Sequence, residues 1–561
     1  MIYSTTTTLN QLIDESASAF RTHAAAGFAF SQPITYGEFH ERILLTAAGI
    51  RNLGIKKNDR VAILADNSPQ WGMAYLAVVR LGAVAVPILP DFPEADVKHI
   101  LSESHAKLLF TNQRQFEKIY DLPGNSLKTI VSLDDALDPH SIITPIPFSQ
   151  FIENARALPE SRGQLHETVV SETDLASVIY TSGTSGHSKA VMLTHKNFLS
   201  NVRSTLAIFK NERIKDWTFL SILPMSHAYE FTISFLVPLA TGCRIVYAGK
   251  TPTPTVLERI CKAEQPTIMC MVPMVMEKIY KKKVLPAING NRLLKTAMKL
   301  PIIRKTILKK IGGKLILFFG GKLKFVAIGG AALNVEVEKF LAESGFPYII
   351  GYGLTEAAPL VSAGPYRDPT ISVGSAGKPV EGVEVRFVNI NQDTGLGEIL
   401  VRGDNVMKGY CDNPTDTAKA IDKDGWLATG DIGCLDAKNN LVIKGRSKSV
   451  IVLSHGENIY PEAIEEKINA FQHVVESLVV ESNDRLEARV YLDYELIDTE
   501  TRGKEQSVQL AYIDALLDTI KKEVNRQLPQ YSQLARVVEH REPFTKTATH
   551  KIKRYLYTRP N

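Results

Sequence analysis

Cysteine is scarce in this 561-residue sequence: Cys243, Cys261, Cys270, Cys411 and Cys434 are scattered, odd in number and free of C-x-x-C spacing. That pattern excludes a disulfide framework and a cysteine-built zinc or iron–sulfur site, and it suits a reducing cytoplasm. Long apolar runs are missing too. The nearest, AYLAVVRLGAVAVPILP, is broken by Arg80, short of the roughly 18 residues that a membrane helix requires. The opening MIYSTTTTLNQLIDESASAF lacks the basic and apolar regions of a secretory signal. A cytoplasmic protein is expected, with peripheral attachment to the inner membrane surface left open. Acidic residues are absent from one stretch: Lys278 to Lys324 holds fourteen Lys and Arg and no Asp or Glu, leaving 51 basic against 60 acidic residues elsewhere. The formal charge of +5 is therefore a local excess on an otherwise acidic chain.

What is present is a β-α-β alternation. RVAILAD, PQWGMAYLAVVRLG, AVAVPILP, EADVKHILSESH and AKLLFTN predict parallel strands with helices on both faces. The pattern resumes with TFLSILP, CRIVYAG, TVLERICKAEQ, PTIMCMVP, LKFVAIGG, NVEVEKFLAESG and PYIIGYG, so two α/β subdomains are predicted. From about 371 to 443, short strand candidates separated by Gly, Asn and Asp read as a small β-rich subdomain. The remainder mixes helices (EAIEEKINAF, QLAYIDALLDTIKKEVNRQL) with strands (ESLVVES, EARVYLDY) and reads as an α+β domain. The expected division is 1–446 and 447–561.

The densest chemistry is YTSGTSGHSKAVMLTH, Tyr180 to His195, with five Ser/Thr, two Gly and a lysine between Thr181 and Ala190. Glycines let backbone amides and hydroxyls converge on an anion, but the spacing is not G-x-x-x-x-G-K-[ST]. By itself the stretch is equally a solvated turn. Five further motifs accompany it: LPMSHAYE (Leu223–Glu230), GGAAL (Gly329–Leu333), GYGLTEAAP (Gly351–Pro359), DGWLATGDIG with KGRSK (Asp424–Lys448), and TKTATHKIKR (Thr545–Arg554). Singly, Asp431 reads as a turn cap, His227 as a satisfied histidine and Glu356 as a surface acid.

In this order the six motifs resemble the AMP-forming adenylating superfamily of acyl-CoA synthetases, luciferases and adenylation domains, over nearly the whole chain. The resemblance implies a large N-terminal region followed by a mobile C-terminal domain. It implies that ATP and Mg²⁺ activate a carboxylate, with coenzyme A or the phosphopantetheine of acyl carrier protein as thiol. It assigns Thr181, Ser182, Gly183, Thr184, Ser185, Gly186 and Lys189 to the β- and γ-phosphates, with Thr184 near the metal and Glu356 as Mg²⁺ ligand. Thr355 would touch the α-phosphate. Tyr352 would stack on adenine against Gly330 and Ala331, beside Gly351. Asp431 would accept from the ribose with Arg446 next to it, Lys551 would bridge carboxylate and α-phosphate, and His227 would border the acyl pocket. Lys448 would be the hinge, and Gly456 would line the thiol tunnel. Ser188, Ala190 and His550 depart from the usual Pro, Gly and Gly. The Arg446–Gly456 spacing resembles long-chain fatty acyl enzymes more than short-chain or aryl ligases.

The expected activity is thus ATP-dependent ligation of a medium- or long-chain fatty acid to coenzyme A. Ligation to acyl carrier protein is the enzymatic alternative, and a non-catalytic membrane-associated lipid- or nucleotide-binding protein is the alternative of another class. In the basic segment, PIIRKTILKKI opens with Pro301 and places Ile303, Ile307, Leu308 and Ile311 on one helical face, with Lys305 and Lys309 opposite and Arg304 intruding on the apolar side. Three readings stay open for it: an anionic membrane, an acidic acyl carrier protein, or a solvated face whose apolar side packs on the large domain. Nucleic acid is not expected, since no recognition motif accompanies the charge.

Overall fold

The computed structural model describes residues 5–558, apart from 121, 123–126, 139–141, 159–167, 182–187, 211, 213, 215, 290–297, 299, 454–456 and 548–550. Two large α/β sheets dominate. In the eight-stranded sheet, strands Arg60–Leu64, Val84–Pro87, Leu108–Thr111 and Thr129–Ser132 pair in parallel. Their residues are buried almost throughout, as a sheet covered on both faces requires. At one side this sheet continues into the antiparallel ribbon Leu175–Thr181 with Lys189–Thr194.

The nine-stranded sheet runs parallel through Arg244–Tyr247, Thr218–Ser221, Ile268–Met271, Phe325–Gly329 and Tyr348–Gly353. Its far edge is supplied by Ala24–Phe28 and Ile34–Thr35, so the N-terminal strands belong to the second sheet and not to the first. A four-stranded antiparallel sheet follows, from Val383–Val388, Gly397–Gly403, Leu427–Leu435 and Leu441–Arg446. Beyond it, Val474–Glu481, Leu486–Leu492 and Leu534–Glu539 form a three-stranded sheet. Helices Pro461–Asn469 and Gln506–Asn525 pack with it around a separate apolar core that includes Ile464, Val479, Val490, Leu517 and Ile520.

Local signals set the elements that carry chemistry. Helix Pro69–Arg80 starts at Ser68, whose hydroxyl accepts from the Trp71 amide, with proline at its first position. Helix His195–Ile208 opens with a reciprocal cap: Thr194 Oγ1 accepts from Asn197 N at 3.2 Å, and Asn197 Oδ1 accepts from Thr194 N at 2.8 Å. The basic helix spans Pro301–Phe318. Leu308, Leu315 and Phe318 are buried against helix Val335–Ser344 and its surroundings, and Gly312 lies so close to Ser344 that a Cβ would sit 2.7 Å from its carbonyl oxygen. Of the predicted apolar stripe, Leu308 is buried and Ile307 and Ile311 are half-buried, but Ile303 stays 41 % exposed, so the stripe packs on the protein's own core only in part. Arg304, which intrudes on that side, pairs with Glu343 through Nε at 3.0 Å and Nη2 at 2.7 Å. The outward face keeps Lys305, Lys309, Lys310 and Lys314, with Ile302 84 % and Leu317 66 % exposed among them.

Candidate active site

The ends of three sheets meet at one place. Parallel strands Phe325–Gly329 and Tyr348–Gly353 end side by side, with Gly329 opposite Gly351. A Cβ on Gly329 would stand 3.1 Å from the Gly351 oxygen, and Gly330 has φ of +88°. A Cβ at the first position would crowd the neighbouring strand, and glycine readily adopts the second conformation. Gly330 and Ala331 are exposed just beyond the strand end.

Tyr352 leaves the same strand and donates its hydroxyl to Asp431 Oδ2 at 2.8 Å. Asp431 sits on Leu427–Leu435 directly across from Arg446, whose Nε lies 3.1 Å from Oδ1. The carboxylate is nearly buried and engaged on both oxygens, yet each oxygen retains a second lone pair. Burial, reinforced by the Asp431 charge, holds the Tyr352 phenol protonated far above its ordinary range.

After Tyr352 the chain makes a short turn, Thr355–Ala357. Two buried amides hold it: Asn201 Nδ2 and Asn405 Nδ2 both donate to the Ala357 oxygen, at 3.0 and 3.1 Å. Thr355 and Glu356 are half-buried on this turn. Glu356 Oε1 accepts from the Tyr410 hydroxyl at 3.0 Å. The Tyr410 ring in turn lies under the Lys189 ammonium at 4.5 Å, and Lys189 is ion-paired with Asp416 at 2.9 Å. Tyr410 reaches this position because Gly409–Tyr410 adds a short strand beside Lys189–Thr194. Tyr410, Asp416, Asn201 and Asn405 were not singled out in the sequence. Only the Asn-Pro helix start at Asn413–Pro414 marks the neighbourhood of the first two.

Thr181 and Lys189 face each other across the ribbon, and Thr181 Oγ1 donates to the Lys189 oxygen at 3.3 Å. Ser182, Gly183, Thr184, Ser185 and Gly186 lie outside the described residues, as does Gly456. Lys448 is exposed in the turn Ser447–Ser449 after the Arg446 strand.

Lys551 enters from the C-terminal lobe. Its amide and carbonyl both bond to Thr547, at 3.2 and 2.8 Å, closing a tight loop. The side chain keeps access to solvent. Crowding by surrounding atoms, then repulsion from Arg446, push its ammonium below the ordinary lysine range, against the attraction of Asp431 and Glu356. Lys551 is thus within the electrostatic reach of three predicted site residues that lie far from it in sequence.

His227 precedes the helical turn Ala228–Glu230. Its segment is clamped by Asn67, which donates to Ser221 Oγ at 2.9 Å and to the Leu223 oxygen at 2.6 Å, and accepts from Met225 N at 2.8 Å. Next to it, Tyr229, Ile233, Val237, Phe219, Phe325 and Gly351 line an apolar cavity of about 40 Å³. Glu230 is fully buried beside this wall and accepts from Ser234 Oγ at 3.1 Å, and burial raises its carboxyl to about 8. Among the described residues no cluster of three or more His, Cys, Asp or Glu could hold a metal ion. Glu356 still suits Mg²⁺: its second carboxylate oxygen has no hydrogen-bond partner among the described residues, and Mg²⁺ usually takes one or two carboxylates with substrate phosphates.

Known proteins place the chain. Residues 13–411 match the AMP-binding enzyme family and residues 448–559 its C-terminal domain. Fatty acyl-CoA synthetase A of Dictyostelium discoideum is 29 % identical over 462 residues, covering 77 % of this chain and 67 % of that protein. A chloroplastic long-chain-fatty-acid–[acyl-carrier-protein] ligase of Arabidopsis thaliana is 30 % identical over 81 % of this chain and 71 % of its own length. 4-Coumarate–CoA ligase 1 of the same plant is 28 % identical over 90 % and 83 %. In fold, an anthranilate CoA ligase in complex with anthranoyl-AMP superposes with a TM-score of 0.77 at 20 % identity, covering 99 % of this chain and 97 % of that one. With both family modules matched in order along one polypeptide, the chain belongs to the AMP-binding enzyme family, as an AMP-forming ligase of the acid–CoA type.

Proposed function

We propose that the chain activates a medium- or long-chain fatty acid and passes it to the thiol of coenzyme A. In the first step a fatty-acid carboxylate oxygen attacks the α-phosphorus of ATP, the α–β phosphoanhydride bond breaks, and pyrophosphate leaves with acyl-AMP formed. In the second the thiol sulfur attacks the acyl carbonyl, AMP leaves, and the thiol proton passes to solvent.

What supports this reading is the contact of Tyr352 and Arg446 with Asp431, with Lys551 in the field of Asp431, Arg446 and Glu356, next to an apolar cavity that Gly351 lines. Bringing two anions together requires positive charge and placement more than covalent help. Tyr352, with Gly330, Ala331 and Gly351, would seat adenine. Asp431 would accept from the ribose through its remaining lone pairs, oriented by Arg446. Lys551 would lie between the carboxylate and the α-phosphate, with Thr355 on the latter. Thr181, Ser182, Gly183, Thr184, Ser185, Gly186 and Lys189 would enclose the β- and γ-phosphates, Lys189 exchanging Asp416 for phosphate. Glu356 and Thr184 would hold Mg²⁺, which when bound offsets phosphate charge.

His227 and the helix after it would border the acyl chain, whose apolar wall favours alkyl over polar acids by roughly 0.8 kcal/mol per buried methylene. Lys448 would be the hinge about which 447–561 turns against 1–446, and Gly456 would line the thiol tunnel. The alternative thiol is that of acyl carrier protein. The outward lysines of helix Pro301–Phe318 favour an anionic partner, either that protein or an anionic membrane surface.

A panel of fatty acids of graded length tests the proposal, with pyrophosphate release measured first and then thioester formation with coenzyme A and with acyl carrier protein. Release that rises with chain length, with thioester formed on coenzyme A, is the expected result. Binding of ATP and fatty acid without pyrophosphate release would leave only the non-catalytic reading.

A further inference from the structure

Lys281 belongs by sequence to the basic segment, but it does not face solvent with the other lysines. It is half-buried at the start of the irregular helical turn Tyr280–Val284. Its ammonium donates to three carbonyl oxygens of the C-terminal lobe: Asn469 at 2.7 Å, Val474 at 2.9 Å and Phe471 at 3.2 Å. An ammonium has three donors, and all three are used here. Asn469 ends helix Pro461–Asn469, so the cation meets the end of a helix where unsatisfied carbonyls and the dipole attract it. Burial holds this ammonium below the ordinary lysine range, against the attraction of Glu277 and Asp493.

A second contact secures the same helix. Asn334 Nδ2 donates to the Glu466 oxygen at 3.1 Å, and the Val335 amide donates to Glu466 Oε1 at 3.1 Å. On the helix's other connections, Glu465 pairs with Arg554, and Glu462 lies 3.7 Å from the same guanidinium. Arg554 is three residues from Lys551. The path therefore runs from Lys281 through helix Pro461–Asn469 and Arg554 to the loop of Lys551, whose ammonium lies in the field of Asp431 and Glu356.

We propose that Lys281 is a positioning residue for adenylation: by capping helix Pro461–Asn469 it holds the C-terminal lobe in the orientation that seats Lys551 in the active site. This rests on the reading of Lys551 given above. The cap is reversible, because the three carbonyls and the ammonium all find water when the lobe departs.

The test uses Lys281→Met, which keeps the stem and removes the ammonium, in the full-length enzyme. Fatty-acid-dependent pyrophosphate release should fall roughly tenfold or more, as expected when a set of charge-assisted hydrogen bonds is lost. Thioester formation from supplied acyl-AMP should be unchanged or faster. In a Lys551→Ala background the same change should add no further loss, because the residue acts through Lys551. Asn334→Asp serves as a second variant: it preserves the cap on helix Val335–Ser344, which uses Oδ1, but removes the donor to Glu466, and it should move the two half-reactions in the same directions. Adenylation within twofold of wild type, equal loss in both half-reactions, or losses that add in the double variant would each overturn the assignment. Undiminished adenylation in Lys551→Ala alone would instead overturn the proposed function.

Discussion

At the scale of single residues, Glu356 and Lys551 make separable demands. Glu356→Gln keeps an oxygen for the Tyr410 hydroxyl, so the turn should fold unchanged, while the negative charge for Mg²⁺ is lost. Adenylation is expected to drop on the order of 10²-fold. Near-normal acyl-AMP formation at limiting Mg²⁺ would remove Glu356 from the site. Lys551 predicts a pH dependence. Its pKa is lowered first by desolvation and then by Arg446, so the ammonium deprotonates earlier as pH rises. The kcat/KM for adenylation should therefore fall on the alkaline side well before the ordinary lysine range, near 10.4. Lys551→Arg stays charged there, so whatever activity it retains should lack that alkaline fall. An identical limb in both proteins would assign it to another group.

At the scale of elements, the helical segment after His227 carries its own titration. Glu230 is buried, and its folded pKa of about 8 lies above the ordinary 4.5. Its contribution to stability is complete below about 4.5 and is lost as pH rises toward 8, because the unfolded chain ionises the carboxyl first. Glu230→Gln should remove this loss. The Tm of the variant relative to wild type is expected to climb between pH 5 and pH 8.5, and a constant difference across that range would contradict the burial argument. Helix Pro301–Phe318 poses a different question, because its apolar face is packed from Leu308 onward and Arg304 is already paired. Replacing Lys305, Lys309, Lys310 and Lys314 with glutamine alters only the outward face at little cost in helix propensity. Weaker binding to anionic vesicles, with wild-type binding falling as salt rises, would identify a membrane surface. A higher KM for acyl carrier protein alone would identify that partner. No change in either would leave a solvated face.

At the scale of the whole molecule, the proposed mechanism has two lobes share one active site. Lys551→Ala should cut acyl-AMP formation steeply, to a residual but measurable rate, yet retain thioester formation from supplied acyl-AMP, and Gly456→Leu should do the reverse. Each half-reaction is followed separately, by pyrophosphate release and by thioester yield. Equal loss of both steps in both variants would count against a rotating C-terminal lobe. The lobe's own apolar core, around Ile464, Val479 and Ile520, is what would let it turn as a unit.

The sequence by itself determined the α/β class, the parallel strands and the motif residues, because periodicity of apolar residues and the glycine, lysine and carboxylate pattern are local properties. That Asp431 lies beside Arg446 was implied by the resemblance, and the strand pairing that puts them opposite each other came from the fold. Three further things were decided only in three dimensions. Ala24–Phe28 crosses to the second sheet, since which sheet edge a strand joins depends on its partners and not on its own pattern. Tyr410, Asn201 and Asn405 enter the site through hydrogen bonds spanning 54, 156 and 48 residues, and no local spacing encodes such a contact. Lys281 is one basic residue among fourteen in a charged run, and it stands out because the fold brings three carbonyls of the other lobe to its ammonium.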